Sequence, residues 1–216
     1  RPILRKKMRT QEEEVVNAYS HLVSSVLSIL FCAIFLNRVA EQIHQLQIFL
    51  LGAASFWTFF FSFLYHNTHE PKLRQRNLVL DRVGIYILIS ASGLSFSLGI
   101  EEDYAKVLYS GIILSVMCFL ISRYCCKREE SELFSISSCL LFSVLSIFPL
   151  MGIFNESLLV NPETISSLIF SMVCYCAGVV FYTVDSKKWA HTAWHFLAMA
   201  GYAGSFIAHL IAAGAI

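Results

Sequence analysis

Long apolar stretches alternate with short polar ones along this chain, and the apolar stretches share one length. Seven of them, at residues 19–36, 47–65, 83–100, 104–122, 133–154, 164–183 and 194–216, run for about 20 residues with hardly a charge inside. At ~1.5 Å per residue, a helix of that length crosses a hydrocarbon layer of ~30 Å. The pattern predicts an all-α integral membrane protein, a seven-transmembrane helix bundle. The connections are short and no hydrophilic block is long enough to fold separately. Residues 1–216 are therefore expected to form one domain, with 1–18 as a polar N-terminal arm.

Composition strengthens this picture. Only 14% of the residues are charged, against roughly 25% in ordinary soluble chains, so lipid rather than water must solvate most of the surface. The net charge is +1 and the basic residues are scattered, which argues against nucleic acid as a partner. Their placement is more informative than their sum. Arg1, Arg5, Lys6, Lys7 and Arg9 lie in the arm. Lys72, Arg74, Arg76 and Arg82 follow the second stretch, Arg123, Lys127 and Arg128 the fourth, and Lys187 and Lys188 the sixth. Only Arg38 and Lys106 fall on the opposite side. By the positive-inside rule the N-terminus is expected in the cytoplasm and the C-terminus outside, in the plasma (cell inner) membrane. The basic opening shows no cleavable signal peptide.

Seven cysteines lie within or beside apolar stretches, so a disulfide framework is not expected. Cys174 and Cys176 are two apart and diverge on a helix. Cys125 and Cys126 stand beside Lys127 and Arg128, where small apolar packing residues and acylation sites are both consistent readings. In the last stretch Ala200, Gly204, Ala208 and Ala212 form an i, i+4 ladder with Gly201 and Ser205 beside it. Such a ladder predicts close helix–helix approach. His209 is read as a packing or interfacial residue.

The remaining polar residues carry the chemistry. His191 and His195 are four apart, which on a helix stacks two imidazoles on one face ~6 Å apart. Glu14, Asn17 and His21 fall on one helical stripe, Ser62 and His66 are again at i and i+4, and Asp81 stands at the start of the third apolar stretch. The topology puts all four groups at the cytoplasmic end. Each is costly against lipid, so they are expected to face one another inside the bundle. Three histidines with an open fourth position make a catalytic zinc site, and imidazole suits zinc better than magnesium or calcium. His66, His191 and His195 are the expected metal ligands, with Asp81 and Ser62 as catalytic neighbours that orient water or a ligand.

Taken in order, Glu14-x-x-Asn17-x-x-Ser20-His21, Ser62-x-x-x-His66, Leu80-Asp81 with Ile85-Tyr86, and Phe181-Tyr182 followed by His191-x-x-x-His195 resemble the hemolysin III family. That family is similar to the progestin and adipoQ receptors and the alkaline ceramidases, which share Ser, Asp and three His. The resemblance implies seven spans and a zinc ion held by His66, His191 and His195 with Asp81 and Ser62 close by. Lipid amide hydrolysis in the receptor and ceramidase branches, and the cytolysis in the family's name, set the expected functions. A zinc-dependent hydrolase of a lipid amide or ester leads, with membrane lipid as partner and source of substrate. A membrane-damaging cytolysin and a receptor braced by structural zinc are the alternatives. The chain carries Ser92-Gly93-Leu94-Ser95, Arg82 and Ser205 where the family pattern has other residues, changes that bear on the pocket rather than the ligands.

Overall fold

A computed structural model describes residues 9–100, 102–126, 132–147 and 161–216. Among them are seven helices and no strand: α1 (Gln11–Leu36), α2 (Gln42–Asn67), α3 (Pro71–Leu98), α4 (Asp103–Cys126), α5 (Glu132–Ile147), α6 (Pro162–Thr183) and α7 (Ala190–Ala212). All but α5 are long and apolar enough to cross a membrane. The described part of α5 holds a shorter apolar segment, Ile136–Ser146. The rest of the fifth apolar stretch, with Pro149, lies outside the described residues.

The helices extend beyond the apolar stretches, most of all at the end that carries the histidines. α1 starts at Gln11 because Thr10 and Glu13 close a capping box over its first turn, so the second half of the expected arm is helix. Glu70 caps α3 by accepting from the backbone N–H groups of Lys72 and Leu73, and Pro71 occupies its first turn. Asp81 therefore lies three turns inside α3 rather than at its start, and Arg74 and Arg76 are helical rather than in a connection. α7 begins at Ala190, which brings His191 onto the same helix as His195. The residue before it, Trp189, has φ 65, a left-handed conformation that a bulky side chain rarely adopts.

α1 packs on α2, α2 on α3, and α6 on α7; α3 also receives α4 and α5, and α7 touches α1, α2 and α3. One apolar core joins α3, α4 and α5 through Tyr86, Tyr109, Ile113 and Phe142. A second, with Ile48, Leu51, Phe206 and Leu210, seals α2 against α7 at the end away from the histidines. α1 is inside-out in the sense expected of a membrane helix: Asn17, His21, Ser25 and Ser28 are buried while Val23, Val26, Ile29, Leu30 and Phe31 are exposed.

Small residues set the α6–α7 distance. A Cβ on Gly204 would lie 2.8 Å from the Phe170 ring and 3.0 Å from the Ser167 carbonyl oxygen, and one on Gly178 would lie 2.7 Å from the Trp194 ring. Ser171 Oγ donates to the Gly201 carbonyl across the same contact at 2.7 Å. Gly204 and Ala208 of the ladder are buried and Ala212 is exposed, so the close approach ends before the last turn. His209 stacks on Phe96 at 3.7 Å, with Nδ1 2.7 Å from the Ser205 carbonyl and Nε2 3.3 Å from that of Ser92, so its one N–H has an acceptor in either tautomer, a packing role.

Candidate metal centre

The histidines meet where α2 ends and α7 begins. One nitrogen from each of His66, His191 and His195 lies within 4.8 Å of the other two, and all three residues are buried. His191 Nε2 and His195 Nε2 are 2.9 Å apart. The His66 ring centroid is 4.8 Å from that of His195 and 5.4 Å from that of His191. The i, i+4 spacing fixes the pair on α7, and α2 supplies the third ring from the other side.

Carboxylates orient two of the three rings. His66 Nδ1 is 2.5 Å from Glu14 Oε2. An ionised carboxylate can only accept, so Nδ1 carries the proton and Nε2 presents a bare lone pair. His66 Nε2 is buried without a hydrogen-bond partner. His191 Nδ1 is 3.3 Å from Asp185 Oδ1 and 3.0 Å from Arg9 Nη2. Arg9 can only donate and so faces a bare Nδ1, whereas Asp185 faces a protonated one; in the latter tautomer Nε2, 2.9 Å from His195 Nε2, presents its lone pair to the centre. Both contacts are of the kind that holds a ligating imidazole in the right tautomer and raises its basicity.

Those carboxylates are themselves tied down by Arg9, just before α1, and by Arg74 of α3. Arg9 Nη2 donates to Asp185 Oδ2 at 2.9 Å, and Arg74 Nη2 donates to Glu14 Oε1 at 2.7 Å. Burial opposes the charge of Arg9, but the hydrogen bond and charge of Asp185, joined by Tyr65 and Glu14, outweigh it and raise its pKa. Glu13, one residue away, accepts from the Trp189 backbone N–H at 2.6 Å with one oxygen and from Thr10 with the other. The first turn of α1 thereby grips the residue that opens α7. An open cavity of about 400 Å³, lined by Arg9, Gln11, Glu14, His69 and Arg74, leads up to the far side of Glu14.

The donor set fits zinc. Three neutral imidazoles are a recurrent catalytic ligand set, and two nitrogens bound tetrahedrally at ~2.0–2.1 Å would sit about 3.3 Å apart, a spacing between the 2.9 Å of the His191–His195 pair and the 4.8 Å that bounds the set of three. Among the described residues Asp81 is not one of the converging ligands. Its carboxylate lies beside Ser62, His66 and Arg82, near enough to interact with each. Ser62 is buried one turn before His66 on α2.

Sequence reasoning brought His66, His191, His195, Ser62 and Asp81 to one level, and the structure places them together. Glu14 and His21, expected from their helical stripe to face the other polar groups, meet His66 and His195 respectively. Arg9 and Asp185 were not singled out at all. The available signal for Asp185 was a lone carboxylate in the polar connection six residues before His191. For the α1 clamp it was Thr10-x-x-Glu13, the spacing of a capping box.

Comparison with known proteins identifies the family. Residues 9–206 match the family model described as Haemolysin-III related. Hemolysin-3 of Bacillus cereus is 24% identical over 207 residues, covering 90% of this chain and 89% of that protein. The Hemolysin-3 homolog of Bacillus subtilis (strain 168) is 22% identical over 202 residues, covering 92% of this chain and 93% of the relative. With six helices long and apolar enough to cross a membrane and a family match over nearly its whole length, the chain belongs to the Haemolysin-III related family.

Proposed function

We propose that the protein is a zinc-dependent hydrolase of a lipid amide or ester, working at the cytoplasmic end of a seven-span bundle in the plasma membrane. The observation that carries this reading is the convergence of three buried imidazole nitrogens, two of them backed by carboxylates. A structural zinc would be served by a closed set of four protein ligands; three ligands leave a position for a reactant. The charge asymmetry of the connections supports a cytoplasmic N-terminus and an external C-terminus, and one domain over 1–216 fits the short connections.

His66, His191 and His195 would hold the ion, which supplies a Lewis acid for a carbonyl and lowers the pKa of water toward ~7. Glu14 keeps the Nδ1 proton of His66 in place so that its Nε2 lone pair stays available, and Asp185 offers His191 an acceptor for the same tautomer in competition with Arg9. Asp81 is the proton carrier: its carboxylate takes the proton from the attacking water and returns it to the leaving amine or alcohol. Ser62 steadies Asp81 beside His66. Substrate enters from the membrane, where an acyl chain is already solvated.

Purified protein is expected to hold about one zinc and to release fatty acid from a lipid amide or ester, and His195→Ala to lose both. Stoichiometric zinc without hydrolysis across a broad lipid panel would refute the reading. A cytolysin is the second reading, favoured by the hemolysin names of the relatives. Liposome leakage that survives loss of all three ligand histidines would establish it in place of the enzyme.

A further inference from the structure

The cluster contains a fourth histidine that metal binding leaves unused. His21 of α1 stacks on His195, with ring centroids 4.0 Å apart and planes at 21°, and meets Phe59 edge-on at 5.2 Å. It is 6% exposed, and neither ring nitrogen has a hydrogen-bond partner. One turn earlier, Asn17 is fully buried. Its Oδ1 accepts from Thr192 Oγ1 at 2.7 Å, while its Nδ2 has no partner. His195 Nδ1 is also unpartnered. Buried polar atoms are nearly always paired. Several unpaired nitrogens gathered beside one site mark a place where something else supplies the partner.

Packing does not require these nitrogens. A phenylalanine at position 21 would keep both the stack on His195 and the edge contact with Phe59. Nor is His21 among the converging ligand atoms, so it does not complete a four-histidine cage. Its ring is nonetheless within electrostatic reach of His66 and His191, on the α1 side of the centre.

We propose that His21 and Asn17 form the ligand-binding wall of the histidine centre and donate hydrogen bonds to the carbonyl or carboxylate oxygen of a lipid acyl group held there. The chemistry follows from the donors. An amide Nδ2 can only donate, and a neutral imidazole always presents one N–H, whichever tautomer it adopts. The matching group is an oxygen acceptor, which an acyl carbonyl provides in the substrate and a carboxylate provides in the product. This rests on the reading of the site as a metal-dependent acyl hydrolase, and it assigns substrate positioning to α1, which supplies none of the metal ligands.

The test uses full-length protein in detergent, loaded with cobalt(II) in place of zinc and titrated with palmitate while the visible cobalt bands are followed. His21→Phe is expected to bind one cobalt with unchanged affinity and to keep or raise the thermal midpoint. Its palmitate affinity is expected to fall about tenfold, the loss of one buried hydrogen bond. His21→Gln, which restores a donor, is expected to recover part of that affinity. Equal palmitate affinity in His21→Phe and wild type would overturn the inference, as would a wild-type cobalt spectrum that palmitate does not change. Loss of cobalt from His21→Phe would also overturn it, by making His21 a ligand. Wild-type protein that takes up no cobalt would instead remove the underlying metal reading, a failure visible before any palmitate is added.

Discussion

Replacing Glu14 with alanine isolates how much of the metal site is built outside the three ligands. Glu14 Oε2 holds His66 Nδ1, and Oε1 engages Arg74 at 2.7 Å with Arg9 at 3.9 Å. The His66 side chain is 0% exposed, and water entering the vacated space from the cavity beside Glu14 supplies a neutral acceptor that holds the proton less firmly than a carboxylate. In Glu14→Ala the Nδ1 proton is no longer fixed, the tautomer with a protonated Nε2 becomes accessible, and two guanidinium groups near the centre lose a counter-charge. Removing an orienting partner of a ligating histidine costs about 10–100-fold in metal affinity, or roughly 1.4–2.7 kcal/mol. Arg74 and Arg9 push the expectation toward the upper half. Glu14→Gln keeps an acceptor oxygen for Nδ1–H but not the charge, and should lose about tenfold or less. Zinc affinity measured by competition with a chromophoric chelator in detergent reads both values. Thermal unfolding in excess chelator controls for general damage: the difference among variants should shrink when no metal is bound. Glu14→Ala protein with wild-type zinc affinity would refute the argument, and so would Gln performing no better than Ala.

Two other substitutions probe the scaffold. Gly204→Ala is expected to destabilise the bundle by about 1–3 kcal/mol in detergent unfolding assays, because the new methyl meets the Ser167 and Ser171 backbone as well as a movable Phe170 ring. Glu13→Ala removes a helix cap and leaves the Trp189 N–H without its acceptor. A loss of about 2–3 kcal/mol in the same assay is expected, with weaker zinc binding as a second effect.

The residues that sequence could assemble were those whose relation is local or set by topology. His191 and His195 share a helical face by spacing alone, and His66 was brought to their level by counting membrane crossings. Hydropathy failed at the helix ends for a physical reason. It measures how much of a helix lipid can solvate, whereas hydrogen bonding continues into the polar turns that Thr10, Glu13 and Glu70 cap. That is why Asp81 lies inside α3 and His191 inside α7. The pairs Glu14–His66 and Arg9–Asp185 were not legible, since they join residues 52 and 176 apart in the chain and the periodicity of one helix says nothing about the azimuth of its neighbour. The single line of polar residues on α1 was visible, but two jobs were hidden within it: Glu14 bonds one ligand, and His21 stacks on another.

The left-handed Trp189 turns out to govern the direction in which the ligands point. Its backbone bends the chain immediately before the first residue of α7, and its N–H is locked to Glu13 of another helix. Successive helical residues are offset by about 100°, so a one-residue change in where α7 starts would rotate His191 and His195 together by roughly a quarter turn, away from His66. The clamp on that residue acts as an index pin for the rotation of α7. The contacts of Ser171 with Gly201 and of Asn17 with Thr192 hold the same angle further along α7, so the aim of the two imidazoles is set in part at a point that neither of them touches.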